Sequence, residues 1–264
     1  MLIIGEKLNS SIPSAAAAIE KRDKAFVQKL ALEQVAAGAD VIDVNAGTFL
    51  TQEVELLAWL VETVQEAVEV PLCIDSPNVL ALQAALPLAR QKPIVNSISA
   101  EEARYQSVIP LIKKAKAGVI ALVMDDQGIP STTEERMVIA RRLVERLTQD
   151  GVQRDDIYLD VMVQPIGTES TSGKVALETV QCIHRELKGV HITCGLSNVS
   201  FGLPKRRLLN QAYAIALTAN GMDALFIDPL DEKLMALIHS MNALMGSDEF
   251  CCDYLAAYRE GKLG

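Results

Sequence analysis

The sequence predicts a single α/β barrel, in which eight parallel strands alternate with helices. The chain has 264 residues, close to the ~250 typical of one such barrel. Half of the residues are hydrophobic but only 4% are aromatic, which suits parallel strands covered by helices. Short β-branched runs also alternate with amphipathic stretches, without a linker rich in proline or glycine. We therefore expect one domain over residues 1–264.

The predicted strands are short apolar runs that end in a polar residue or a turn. Strands that are buried on both faces have such continuous apolar stretches. The eight runs are Leu2–Glu6, Val41–Asn45, Leu72–Asp75, Ile94–Ser97, Val119–Val123, Ile157–Val161, His191–Ser197 and Ala224–Asp228.

The predicted helices lie between these strands and have apolar faces with a period of about 3.6 residues. In the first helix, Phe26 and Leu30 lie on this face, and Gly38 ends the pattern. Ser76 and Pro77 follow the third strand and predict a helix start, because serine is a good N-cap and proline a good first helical residue. The helical segments are Ala25–Ala37, Val54–Val68, Glu134–Leu147, Lys174–Leu187, Arg206–Ala219 and Glu232–Met245, with a closing helix over Phe250–Leu263.

Composition excludes several classes of function. The formal net charge of −9 argues against a nucleic-acid partner. The sequence has neither a signal peptide nor the ~18 uncharged apolar residues that a membrane helix requires, so we expect a cytoplasmic protein. Its five cysteines have irregular spacing, which indicates a reducing compartment without a disulfide framework.

Polar side chains at the strand ends are the main functional signal, because barrel active sites form at the carboxyl ends of the strands. Aspartate and asparagine also cap helices and form turns, so a single position is ambiguous. Repetition on different strands favours an acidic, hydrogen-bonding cup. The strand-end residues are Glu6, Asp43 with Asn45, Asp75, Asn96, Asp125, Asp160, Asn198 and Asp228.

The residues that are missing from this cup limit its chemistry. His191 opens a strand, and His184 and His239 lie in helices, so a histidine-rich metal site at the mouth is not expected. Lys7 near a strand end is weak support for a Schiff base, and the sequence places no base beside a serine or cysteine nucleophile. Carboxylates and amides suit a heterocycle rich in N–H donors, such as a 2-amino-4-oxo pterin. The reacting nucleophile must then come from another molecule.

Motifs at successive strand ends resemble known pterin-binding barrels. Gly5-Glu6-Lys7-Leu8-Asn9, Asp43-Val44-Asn45, Cys73-Ile74-Asp75-Ser76 and Val95-Asn96-Ser97 are similar to that superfamily. Gly195-Leu196-Ser197-Asn198-Val199-Ser200 resembles the methyltetrahydrofolate–corrinoid protein methyltransferases, as does Met124 followed by Gly128-Ile129-Pro130. The likeness extends over essentially the whole chain.

The resemblance implies a role for each matching residue. Asp75, Asn96 and Asp160 would hydrogen-bond the pterin ring, and Asn198 would approach N5 as the catalytic residue. The remaining implied folate contacts are Ser197, Gly195, Arg206 at the p-aminobenzoyl-glutamate tail, Met124, Ile227, Asp43 and Glu6.

The resemblance also implies the substrates and partners. These are tetrahydrofolate or 5-methyltetrahydrofolate and cobalamin, a corrinoid, on a separate protein, with the enzyme itself a homodimer. Both directions of methyl transfer remain open. Asp125-Asp126 stands where related proteins have an amide, and the loop Gln164–Ser172 is individual to this chain and a candidate for partner selection.

Three alternatives remain at this level. Dihydropteroate synthase would need basic residues for a pyrophosphate, whereas the loop after the last strand, Ile227–Asp231, is acidic. A non-catalytic folate-binding module would bind the same heterocycle without transferring methyl. A barrel lyase would use the acids to hold a metal.

Overall fold

The computed structural model describes residues 1–263 and confirms the predicted eight-stranded parallel barrel. Neighbouring strands pair in the order β7-β6-β5-β4-β3-β2-β1-β8. The barrel closes between β7 and β8, where Gly195 and Phe226 form a parallel bridge and Phe226 N donates to Cys194 O at 3.2 Å. The strands are β1 Leu2–Asn9, β2 Val41–Asn45, β3 Leu72–Asp75, β4 Ile94–Ser99, β5 Gly118–Leu122, β6 Ile157–Asp160, β7 His191–Thr193 and β8 Ala224–Ile227.

Helices cover the outside of this sheet and bury their apolar faces against it. Their bounds are α1 Pro13–Glu20, α2 Lys24–Ala36, α3 Glu53–Gln65, α4 Val79–Ala85, α5 Glu102–Ala115, α6 Thr133–Gln149, α7 Ser172–Glu186, α8 Arg206–Ala219, α9 Glu232–Leu244 and α10 Cys252–Arg259. Within residues 1–263 none of the helices combines the length and apolar character needed to cross a membrane.

Two strand predictions differ from the structure by three residues or more, and the others agree within two residues. β1 continues past Glu6 to Asn9, with a register shift against β2 between Gly5 and Leu8. β7 stops at Thr193 instead of Ser197, because the chain turns there into a 3-10 helix over Leu196–Ser200. Asn198 N donates to Gly195 O at 3.2 Å and closes this turn.

The helix start predicted at Ser76 and Pro77 is wrong. Asn78 is the N-cap of α4, since its side chain accepts a hydrogen bond from Leu80 N at 3.0 Å. The Ser76 hydroxyl instead accepts from Asn78 N at 2.9 Å and shapes the turn before the helix.

Two helices, α1 and α5, are absent from the prediction. α5 contains Pro110, an interior proline that weakens the helical signal, and α1 is a short alanine-rich segment. The closing helix is shorter than the predicted Phe250–Leu263, because Phe250 and Cys251 have left-handed backbone angles before α10 begins.

Side-chain alternation along the strands builds the barrel interior in layers. Near the amino ends of the strands, an apolar layer contains Ile4, Val41, Cys73, Ile94, Ile120 and Phe226. The next inward-facing positions, two residues further along several strands, carry the acids and amides. The larger apolar core lies between the strands and the helices.

Candidate functional site

The polar residues at the upper end of the barrel form a group that we call the acid bowl: Glu6, Asp43, Asp75, Asn96 and Asp160. Each lies two residues beyond an apolar interior residue of its strand, so the strand period directs it inward. A neighbour orients Asp75, since Asn45 Nδ2 donates to Asp75 Oδ2 at 2.9 Å. The three residues Asp75, Asn96 and Asp160, predicted from the strand ends, therefore all point into the barrel at its upper end.

Burial changes the protonation of the acid bowl. Burial raises the pKa of Glu6 to about 7, although the hydrogen bond from Ser197 opposes the shift. Burial likewise raises the pKa of Asp75 to about 6, against the opposing Asn45 amide, and that of Asp160 to about 6. The pKa of Asp43 lies well above its usual range through burial and the neighbouring Asp75. The bowl therefore exchanges protons near neutral pH, and a protonated carboxyl can donate a hydrogen bond as well as accept one.

Two buried polar atoms inside the barrel lack a hydrogen-bond partner among residues 1–263. They are Asp43 Oδ1 and Thr193 Oγ1, on side chains that are at most 2% exposed. An unsatisfied buried polar group costs about 1–3 kcal/mol, so such groups usually have a partner. A ligand with donors and acceptors could satisfy both atoms. Sequence reasoning missed Thr193, because a threonine inside a strand carries no functional signal.

A cavity of about 620 Å³, which we call the mouth cavity, opens between the ends of β1 and β8 and the loop after β7. Its size lies within the range of roughly 300–1,000 Å³ typical of small-molecule sites. Glu6, Ser197, Asn198, Arg206 and Ile227 line it. The Ser197 hydroxyl donates to Glu6 Oε1 at 2.8 Å, which joins β1 to the loop that carries Asn198.

The position of the Asn198 side chain requires a glycine at position 195. The Asn198 amide nitrogen lies only 2.9 Å from where a Cβ on Gly195 would stand. A larger residue at position 195 would displace this amide, so the place of Asn198 at the cavity wall depends on Gly195. Gly195 thus shapes the cavity without lining it.

Arg206 is exposed but held at the cavity edge. Its Nη2 donates to Ser197 O at 2.7 Å, its Nε donates to Ser200 Oγ at 3.1 Å, and its guanidinium lies 5.8 Å from the centre of the Phe201 ring. These partners are neutral, so the charge of Arg206 remains available to an anion.

The predicted site residues form two neighbouring groups in the structure, the acid bowl and the wall of the mouth cavity. Glu6 belongs to both, because it lines the mouth cavity and its charge contributes to the raised pKa of Asp43. Ile227 also lines the cavity but is 1% exposed, since most of its surface packs in the outer core. The predicted residues outside the cavity wall are Asp43, Asp75, Asn96, Asp160, Gly195 and Met124.

Asp125 does not belong to the acid bowl, contrary to the strand-end pattern. It forms a turn with Gly128, accepts a hydrogen bond from Gln127 N at 3.0 Å and pairs with Arg142 at 2.7 Å. Asp126 accepts from Glu102 N at the start of α5. Local turn chemistry and helix capping explain both acids. Lys7 is also occupied, in an ion pair with Asp228 at 2.9 Å.

Two arginines that sequence reasoning missed hold the strand ends just beyond the bowl residues. Arg104 donates to the carbonyls of Ser76 at 2.9 Å and Ser97 at 2.6 Å, just beyond Asp75 and Asn96. Its helix, α5, was not predicted, so sequence reasoning could not place Arg104 near these carbonyls.

Arg136 is the second clamp and is 1% exposed. Its Nε donates to Pro130 O at 3.0 Å and its Nη1 donates to Val161 O at 2.7 Å, directly after Asp160. The sequence pattern could have indicated that Arg136 is buried, because it lies on the apolar face of α6 with Ile139, Ala140 and Leu143.

Residues 6–228 match the family model described as pterin binding enzyme. The chain belongs to this family. It is 40% identical over 266 residues to the methylcorrinoid:tetrahydrofolate methyltransferase of Eubacterium limosum, covering 100% of this chain and 98% of that protein. It is also 30% identical over 246 residues to the methionine synthase of Mycobacterium leprae, covering 86% of this chain but 20% of that longer protein. The family predicted from the strand-end motifs is confirmed.

Solved structures of dihydropteroate synthases share the fold at low identity. The enzyme from Vibrio fischeri has a TM-score of 0.70 at 17% identity, with 93% of each chain covered. The enzyme from Xanthomonas albilineans in complex with 7,8-dihydropteroate has a TM-score of 0.69 at 14% identity, with 94% of each chain covered. Identities this low support the barrel architecture alone.

Proposed function

We propose that this chain is a methyltransferase that moves a methyl group between N5 of tetrahydrofolate and the cobalt of a corrinoid. The match along almost the whole length of both chains to a methylcorrinoid:tetrahydrofolate methyltransferase carries this conclusion. That relative's name describes transfer from the methylated corrinoid to tetrahydrofolate, and we propose the same direction here. A dihydropteroate synthase reaction has no comparable support, since the enzymes from Vibrio fischeri and Xanthomonas albilineans share only 17% and 14% identity with this chain.

The acid bowl supplies what a pterin requires. In our proposal, Asp75, Asn96 and Asp160 hydrogen-bond the exocyclic amine, the ring N–H groups and the carbonyl of the pterin. The unpartnered Asp43 Oδ1 lies among these side chains, as expected of a site that a ligand completes. Gly195 and Met124 would shape the pocket around the ring.

Methyl transfer from corrinoid to folate requires removal of one proton. The N5 lone pair attacks the methyl carbon, the cobalt–carbon bond breaks with its electrons left on cobalt, and the proton of N5 is lost. We assign Asn198 to N5, because an amide can accept from N–H before transfer and donate to the lone pair afterwards. Glu6 lines the same cavity with a pKa of about 7, so it can exchange this proton near neutral pH.

The remaining features are proposals about assembly. The corrinoid would be carried by a separate protein that docks over the mouth, as the family resemblance implies. We propose a homodimer in the cytoplasm, as the family resemblance implies. The loop Gln164–Ser172, which follows β6, is our candidate for partner selection.

Cobalt absorption tests the proposed function. The protein is mixed with tetrahydrofolate and methylcobalamin, and then with 5-methyltetrahydrofolate and reduced cobalamin. We expect a folate-dependent change between the methylated and reduced cobalt spectra in at least one mixture, and none without protein. Spectra that stay unchanged with both pairs would overturn the proposal and favour a folate-binding module.

A further inference from the structure

A second groove of about 750 Å³ lies beside the mouth cavity, between the first turns of α8 and α9. We call it the basic groove, since Lys205, Arg206, Arg207 and Lys233 line it with only two acids, Asp231 and Glu232. Arg206, Arg207 and Asp231 line the mouth cavity as well, so the two spaces adjoin. A molecule bound in the cavity can extend into the groove past Arg206.

The positive charge of this groove is not neutralised by its own acids. Asp231 caps α9 by accepting from Leu234 N at 3.2 Å, and both its oxygens accept from Gln211 Nε2 at 3.1 Å. Arg207 lies at 4.0 Å from it, a weak contact. The groove therefore carries excess positive charge on a chain whose net charge is −9.

Helix stability does not account for these cations. Lys205 is the N-cap of α8 and Arg206 and Arg207 are its first residues, where the helix dipole disfavours positive charge. The Lys205 side chain also makes no capping hydrogen bond. Binding of an anion offers a physical reason for three consecutive basic residues at this point.

We propose that the basic groove binds a chain of γ-linked glutamates on the folate substrate. This inference rests on the proposed function, which places the pterin in the bowl and the tail beside Arg206. Each added glutamate brings one more carboxylate, which the planar guanidinium of Arg207 and the ammonium groups of Lys205 and Lys233 can meet. The groove therefore selects folates by the number of glutamates.

Equilibrium binding of tetrahydrofolate with one and with four glutamates tests this selection. The proteins are the wild type, the double variant Lys205→Gln/Lys233→Gln and the matched control Lys114→Gln, which changes an exposed lysine on α5. At low salt we expect the wild type to bind the tetraglutamate about tenfold more tightly, and the preference to weaken in high salt. The double variant should retain about twofold preference, with monoglutamate affinity unchanged within about twofold. Lys114→Gln should behave as the wild type.

Two results would overturn the inference. They are equal wild-type affinity for both folates and an undiminished preference for the tetraglutamate in the double variant. Because binding needs no turnover, the glutamate preference can stand even if methyl transfer is absent, and that outcome would count against the proposed function alone.

Discussion

At the lower end of the barrel, His191 Nδ1 lies 2.8 Å from Asp223 Oδ2, and Asp223 Oδ1 accepts from Ile192 N at 2.8 Å. The Tyr158 ring stacks on His191 at 4.7 Å. At the upper end, the buried atoms Asp43 Oδ1 and Thr193 Oγ1 have no partner among residues 1–263. The polar side chains Asp223 and His191 at the lower end are thus paired with each other, whereas the upper end has hydrogen-bonding capacity left over.

This difference assigns the two ends different tasks. The lower contacts fasten the closing point of the barrel, because Asp223 lies at the start of β8 and holds β7, and its carbonyl accepts from Leu2 N of β1 at 2.7 Å. The upper end gives up stability by burying acids with raised pKa values, a cost that functional sites often carry. Changes at the lower end should therefore affect folding, and changes at the upper end should affect binding and turnover.

The largest effect is expected at Asn198. Asn198→Ala should lower the methyl-transfer rate at saturating folate roughly 10²-fold, because removing a donor aimed at developing charge has an effect of that order. Stopped-flow absorption of cobalt measures the rate. The free energy of unfolding should be almost unchanged, since the side chain lies at a cavity wall. A wild-type rate would remove Asn198 from the catalytic role.

Asp223→Ala should show the opposite pattern. Loss of its hydrogen bonds to Ile192 N and His191 should lower the free energy of unfolding by about 1–2 kcal/mol, as measured by urea denaturation. Under folding conditions kcat/KM should stay at the wild-type value. A large loss of kcat/KM in the folded variant would show that the two ends are not independent.

The pH dependence of this variant tests whether Asp223 and His191 form a charged pair. The hydrogen bond that His191 donates to Asp223 raises the pKa of His191, so the pair stabilises the fold at low pH. That contribution disappears as pH rises through the folded-state pKa of His191. The destabilisation by Asp223→Ala should therefore be larger near pH 5.5 than near pH 9, and an equal loss at both would contradict a charged pair.

Gly195→Ala should lower kcat about tenfold, because its Cβ would displace the Asn198 amide, and a small misplacement of a catalytic group has effects of this order or larger. The matched control is Gly128→Ala, where a Cβ would meet no atom within 4 Å. Gly128 has a φ of +93°, so its substitution strains the backbone without touching the site. Equal loss of kcat in both variants would attribute the effect to general destabilisation.

The smallest effect on stability is expected for Glu6→Gln. Burial raises the pKa of Glu6 to about 7 from 4.5, so the neutral carboxyl is favoured in the fold, and this stability is lost as pH rises from 4.5 through about 7. A permanently neutral glutamine should therefore raise the free energy of unfolding by about 1 kcal/mol near pH 8.5, with little gain near pH 5. Urea denaturation at both pH values measures this difference. A destabilised variant at pH 8.5 would indicate that Glu6 is a structural ion.

The sequence predicted the barrel and all five residues of the acid bowl because both follow from strand periodicity. Asp75, Asn96 and Asp160 face inward because each lies two residues beyond an interior residue of its strand. Asp125 was misassigned because an aspartate after a strand can belong either to a turn or to the site. Its hydrogen bond from Gln127 N and its ion pair with Arg142 show that it belongs to a turn. The Arg104 clamp and the cavity beside β8 depend on a helix with an interior proline and on loop conformations, which periodicity does not encode.

Thermal unfolding with and without tetrahydrofolate tests the division between the two ends most directly. A ligand that binds only the folded protein raises the unfolding temperature, and at a fixed ligand concentration the rise grows with the logarithm of its affinity. We predict a clear rise for the wild type and for Asp223→Ala, which starts from a lower temperature, and little or none for Asp75→Asn and Asp160→Asn. A full rise in both Asp75→Asn and Asp160→Asn would contradict the account, because the acid bowl would then not be where folate binds.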